Sequence, residues 1–204
     1  MQEFIFYMQF DIQNAQKIKN GIFKTAIDGL FFVQKSHHED VRGFFSEIGR
    51  IPEIEKVTGQ IFIVKQVNHA RSFKNVVRGI HAEGWNKFIF VSQGRCFCAL
   101  ADLRSNSPTY KTVQTFILGF GKSALSGSLY VPMGVGNSYA VLDGPMDYVY
   151  FVDRLYADRD TGGDAAISLF DPELNIKWPI KKDEMILSER DRNCVRLKEK
   201  YQQQ

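Results

Sequence analysis

The chain has 204 residues, 44% of them hydrophobic and 13% aromatic, and a formal net charge of +3. That length gives one domain with a substantial core, and the composition excludes a disordered chain. The small charge, with no basic run, excludes a nucleic-acid partner, and no stretch approaches the ~20 apolar residues of a membrane span.

In chain order, residues 1–28 read as an N-terminal extension of short strands or a helix over 14–20. Apolar runs then alternate with turn residues. Strands are expected at 29–33, 42–45, 60–67, 76–81, 87–91, 96–103, 112–118, 128–131, 139–142 and 147–152. Their punctuation is Gln93-Gly94, Ser107-Pro108, Gly119, Gly121, Gly134, Gly136 and Asp143-Gly144-Pro145. Short strands at roughly ten-residue spacing, with no amphipathic helical stretch between them, predict an all-β sandwich or jelly roll for 29–204. Helix enters only at the end, where Ser188 has the form of a cap opening a charged segment over 191–203. Cys96, Cys98 and Cys194 make no disulfide framework and point to a reducing cytoplasm.

Proton abstraction beside a ketone needs a base near neutral pKa, a donor for the enolate oxygen, and an acid to return a proton. Four histidines are available. His37 and His38 sit in a polar segment with Glu39 and Asp40, which reads as solvated surface. His81 ends an apolar strand and stands between two cations, Arg78 and Lys87. A histidine at a strand end is more often a hydrogen-bonded structural residue than a catalyst, and both readings stand at this level. Tyr148 and Tyr150 share one face of their strand by period-two alternation, where a phenol can serve as an acid or simply be buried and satisfied. Glu83 and Asn137 occupy places where a metal-binding cupin would carry histidines, so no metal and no other cofactor is expected.

From about Gly29 to Leu197 the motifs taken together resemble the dTDP-4-dehydrorhamnose 3,5-epimerases. They are Arg42-Gly43-Phe44-Phe45 with Glu47, Gln66 to Ser72, Arg78-Gly79-Ile80-His81, Asp102-Leu103-Arg104, Val131-Pro132-Met133-Gly134, Asp147 to Tyr150, Phe170-Asp171-Pro172, and Leu187-Ser188-Glu189-Arg190-Asp191. The resemblance implies a cupin jelly-roll barrel with a short C-terminal helical segment. It also implies an isomerase without cofactor that epimerises a nucleotide-diphosphate-linked 4-keto-6-deoxy sugar at C3, C5 or both through an enolate. His81 matches the base, Asp191 the carboxylate behind it, Tyr150 the acid and Lys87 the enolate cation. Arg42, Glu47, Gln66, Asn68 and Arg78 match residues that hold the pyrophosphate and nucleoside, and Asn137 replaces a histidine near the sugar. Asp191 also reads as a plain helix-start residue, three after Ser188, and Asp171 as a turn residue. A C2 homodimer is implied, with some nucleotide contacts crossing the interface.

The chain departs from the pattern in the shorter loop 82–86 between His81 and Lys87, at His38, where an aromatic residue is common, and at Gly127, where a basic one is. These departures motivate a second reading, a non-catalytic cupin that binds a nucleotide sugar or supports a 4-keto reductase.

Overall fold

The computed structural model describes residues 7–158 and 164–201. The chain runs β1 (Tyr7–Gln9), β2 (Lys17–Lys19), β3 (Ile22–Lys24), β4 (Phe31–Gln34), β5 (His38–Asp40), β6 (Gly43–Phe45) and α1 (Ile51–Thr58). It continues with β7 (Gln66–Ser72), β8 (Val77–Ala82), β9 (Lys87–Asp102), β10 (Val113–Gly119), β11 (Gly127–Val131), β12 (Val135–Val152) and β13 (Ala165–Ala166), then α2 (Glu189–Arg192) and α3 (Leu197–Tyr201).

Strands β9 and β12 form the spine. They pair antiparallel along their length, from Val135 opposite Asp102 to Val152 opposite Lys87. Each half recruits different neighbours. The first half of β9 pairs with β11 and the second with β10, while β12 pairs first with β8 and then with β7. One half of the spine thus carries β7, β11, β4, β3 and β2, and the other carries β13, β8, β10 and β1. This is the cupin jelly roll. The turn signals at Gln93-Gly94 and Asp143-Gly144-Pro145 do not break the strands as expected. They lie opposite each other, where the register shifts, so both strands bend together. Gly94 has φ +75°, and a Cβ there would lie 2.6 Å from the Asp143 carbonyl oxygen. Only glycine lets the two backbones approach so closely.

Alternation along the spine sorts its side chains. Ile89, Val91, Cys96, Cys98 and Leu100 turn inward to meet Phe32, Phe116, Leu129 and Tyr148. Phe97, Ala99 and Ala101 turn outward, under a C-terminal layer that includes Ile167, Leu169, Leu174 and Ile176. Phe88 and Tyr130, on the other half, are covered by Ile54 and Phe62. Burying each valine, leucine, isoleucine or phenylalanine among them contributes about 1.5–3 kcal/mol before chain entropy is charged against it.

Three expectations need correction. Helix α1 lies between strands, with Pro52 in its first turn and Gly59 closing it in the left-handed conformation. Eight residues leave too few turns for periodicity to stand out. The strand expected at 60–67 begins only at Gln66 and runs to Ser72. The charged C-terminal helix is two short ones, interrupted between Arg192 and Leu197, and residues 202–203 lie outside the described residues.

Residues 7–28 join the same sheet. β1 runs parallel to β10 along its outer edge, β3 extends β4, and Phe10, Phe23 and Ile27 enter the central cluster. Residues 14–20 contribute β2 instead of a helix, and 1–6 lie outside the described residues.

Candidate active site

A β-bulge builds the first part of the site. Simple alternation puts Arg78 and His81, three residues apart, on opposite faces of β8. His81 pairs with Asn137 and Arg78 with Tyr139, so β8 carries one extra residue between these points. Both side chains therefore reach one cavity of about 260 Å³. Gly79, at φ +119°, permits the irregularity. A Cβ there would sit 2.4 Å from the Ser138 Cβ and 2.7 Å from the Asn137 carbonyl oxygen.

The carboxylate comes from far along the chain. The Ile186 carbonyl accepts from the Val77 N–H at 3.0 Å, which brings the C-terminal segment alongside β8. Ser188 then caps α2 by accepting the Asp191 N–H at 3.1 Å. The cap aims Asp191 at His81, with 2.7 Å between Oδ1 and Nε2. Asp191 is thus both a first-turn residue and the partner of the histidine. Burial pushes its carboxyl up, but the His81 hydrogen bond and charge, with the Ser188 hydroxyl, more than offset this and hold it below the usual range. An ionised carboxylate only accepts, so Nε2 carries the hydrogen and Nδ1 keeps a lone pair for a ligand.

Strand β12 supplies Asn137, Tyr139, Tyr148 and Tyr150 to the same cavity. The three phenols differ. Tyr139 is pushed up to about 12 by burial, and its hydroxyl lies 3.2 Å from that of Ser72, which accepts from Arg78 Nε at 3.1 Å. Tyr148, stacked on Tyr139, is held well above its ordinary range by burial and donates to Asn137 Oδ1 at 3.1 Å. Tyr150 is half-buried, and among the described residues its hydroxyl has no hydrogen-bond partner. Burial and the Glu83 charge raise its pKa, against a smaller opposing pull from Arg78. It is the phenol left free for a ligand.

Lys87 begins β9 with its side chain almost fully buried and paired with the Glu83 carboxylate. Ser188 and Arg190 complete the lining. The cavity is smaller than the roughly 300–1,000 Å³ of drug-sized pockets and suits a single ring.

His81, Asp191, Tyr150, Lys87, Arg78 and Asn137 are therefore brought together. Gln66 and Asn68 lie next to them on β7, with Asn68 opposite Tyr150. Gln66 donates to Asn68 Oδ1 at 2.7 Å and accepts the Tyr156 N–H at 2.9 Å. Arg42 and Glu47 do not reach this cavity in the same chain. Arg42 stands exposed at the β5–β6 turn and binds its own Asp40, while Glu47 pairs with Arg50 beside a separate cavity. His38 is exposed on β5, within a hairpin where a polar loop was expected. At Gly127 the Phe32 ring occupies the space a Cβ needs, 2.1 Å away, which leaves no room for a basic side chain. Sequence reasoning missed Tyr139, although its two-residue spacing from Asn137 marks a shared face. Among the described residues no three His, Cys, Asp or Glu side chains gather to hold a metal.

The family model described as dTDP-4-dehydrorhamnose 3,5-epimerase matches residues 24–199. The Shigella flexneri protein called dTDP-4-dehydrorhamnose 3,5-epimerase is 28% identical over 178 residues, covering 85% of this chain and 93% of that one. A dTDP-6-deoxy-D-glucose-3,5-epimerase from Legionella pneumophila, solved with dTDP-4-keto-L-rhamnose, superposes with a TM-score of 0.77 at 29% identity, over 87% of this chain and 92% of that one. A 3'-monoepimerase from Streptomyces bikiniensis, solved with dTDP-quinovose, gives 0.78 at 26% identity, over 88% and 89% of the two chains.

Proposed function

This chain belongs to the dTDP-4-dehydrorhamnose 3,5-epimerase family, and we propose that it epimerises a nucleotide-diphosphate-linked 4-keto-6-deoxy sugar at C3, C5 or both. The observation that carries the reading is the His81–Asp191 pair, 2.7 Å apart, sharing one cavity with the free phenol of Tyr150. His81 Nδ1 takes the proton from the carbon beside the ketone. The electron pair moves to the keto oxygen, where the Lys87 ammonium balances the enolate charge. Tyr150 gives its proton to the opposite face of the carbon, and Asp191 balances the imidazolium meanwhile. Exchange with solvent then restores the phenol and the neutral imidazole. Acid–base groups so placed contribute about 10²–10⁴-fold each. Asn137 spends its oxygen on Tyr148, so a sugar meets its N–H donors. Arg78 supplies a fork for the pyrophosphate, and Gln66 and Asn68 border the nucleotide end. The second reading, a non-catalytic binder, gives no reason for a carboxylate-backed histidine and an unpartnered phenol in one cavity.

The test is an exchange assay in deuterated water on 4-keto-6-deoxy sugars linked to thymidine, uridine, guanosine or cytidine diphosphate. Deuterium at C3 or C5 is expected. His81→Ala abolishes exchange while dTDP binding persists. No exchange on any of these sugars defeats the reading.

The assembly belongs to the same proposal. Val41, Phe44 and Phe45 on the β5–β6 hairpin and Ile63 and Val67 near edge strand β7 are exposed apolar side chains. A C2 homodimer buries such a surface and gives Arg42 and Glu47 a route to the partner's cavity. Three cysteines, an odd and sparse set with no disulfide framework, support a reducing compartment, the cytoplasm.

A further inference from the structure

The loop between His81 and Lys87 is held on several sides. Gly84 N–H donates to Asp164, and the Asn86 backbone and side-chain N–H groups both donate to the Asp153 carboxylate, at 3.0 and 2.7 Å. The Asn86 side-chain Oδ1 accepts the Met133 N–H at 2.9 Å, and Trp85 N–H closes a tight turn onto the Glu83 backbone carbonyl at 2.8 Å. A loop pinned in this way fixes Glu83, whose side chain is only 20% exposed and lines the His81 cavity. Its carboxylate meets the Lys87 ammonium, which is itself 5% exposed.

We propose that Glu83 is a positioning residue for proton transfer: it anchors the Lys87 ammonium at the cavity and places a negative charge beside the Tyr150 hydroxyl. The inference rests on the epimerase reading of Lys87 and Tyr150. A lysine on a flexible stem has many rotamers, and a buried carboxylate four residues away selects one. The anchor keeps the ammonium in place before an enolate forms, so little reorganisation accompanies the reaction. The same charge favours the protonated phenol, the form in which Tyr150 can act as an acid, and Glu83 stands second only to burial among the causes raising that phenol. The charged and titratable groups around it are Lys87 from β9, Arg78 and His81 from β8, Tyr139, Tyr148 and Tyr150 from β12, and Arg190 and Asp191 from α2. Tyr156 adds a smaller influence on Tyr150.

Glu83→Gln keeps the shape and removes the charge. In the full-length protein, kcat for deuterium exchange is expected to fall about 10- to 100-fold, with dTDP affinity unchanged. The alkaline limb of the pH–rate profile is expected to move to lower pH, because the phenol loses the charge that favours its proton. Glu83→Asp retains the charge but retracts the anchor. It is expected to lower kcat while leaving the alkaline limb where the wild type has it, and it serves alone if the glutamine variant does not fold. Wild-type kcat and limb in either folded variant overturn the proposal, as does a glutamine variant that loses rate through weakened dTDP binding. A wild-type protein without exchange defeats the epimerase reading first, and the role of Glu83 with it.

Discussion

Replacing Asp191 by asparagine keeps the side chain's size and removes its charge from a position that is only 3% exposed. The 2.7 Å contact with His81 then changes character. A carboxylate accepts the Nε2–H and balances the imidazolium that forms when His81 takes a proton. An amide balances nothing, and its N–H₂ can donate to Nε2, which moves the ring hydrogen to Nδ1 and blocks the base. A hydrogen bond to a charged group stabilises by about 1.5–3 kcal/mol. Its loss in the transition state slows the reaction roughly 10- to 150-fold, and the tautomer change adds to that. The assay is deuterium incorporation at C3 and C5 followed by NMR, with dTDP affinity measured alongside, which should be unchanged. A variant within twofold of wild type refutes the assigned role of Asp191 and the choice of Nδ1 as the base.

Three further outcomes are expected. Gly79→Ala forces a Cβ against Ser138 at 2.4 Å and imposes a side chain at φ +119°; a loss of at least about 2 kcal/mol should appear as a melting temperature several degrees lower, and an unchanged melt contradicts the bulge. Asp147 is held below the carboxylate range by hydrogen bonds from Arg71 and then His69. A depressed folded pKa stabilises above the unfolded value and loses that effect as pH falls through the folded one, so the wild type should out-melt Asp147→Asn at pH 6, and the gap should begin to narrow below about pH 4 and keep narrowing towards the lower folded pKa; a gap constant with pH points to a cause other than charge. Val67→Asp places a carboxylate on an exposed apolar edge, and sedimentation should show a dimer becoming a monomer; a wild-type monomer removes the proposed interface.

Strands were legible wherever a short apolar run was itself the whole element, as at β8, β10 and β11. Two turn signals misled because a glycine that ends one strand in isolation becomes a shared corner when its partner bends beside it, as Gly94 and Asp143 do. Composition places turn residues along the chain but not across it. Helix α1 was missed for its length. His81 was legible as a candidate from its strand end and neighbouring cations, and Tyr148 and Tyr150 from alternation. That Arg78 and His81 share a face was not, because a bulge overrides period two and leaves only a glycine as its trace. The grip of Glu83 on Lys87 depends on a loop pinned by Asp153 and Asp164, residues far off in sequence whose contacts no local pattern records.

The partnership of His81 and Asp191 joins residues 110 positions apart. A barrel can complete its sheet before α2 docks, but His81 gains its carboxylate partner only once the segment from Ile186 to Asp191 has packed alongside β8. Activity is then a late reporter of folding, sensitive to local opening at the C-terminus that leaves the sheet untouched. Mild proteolysis or low denaturant should accordingly silence the enzyme before any probe of the barrel responds.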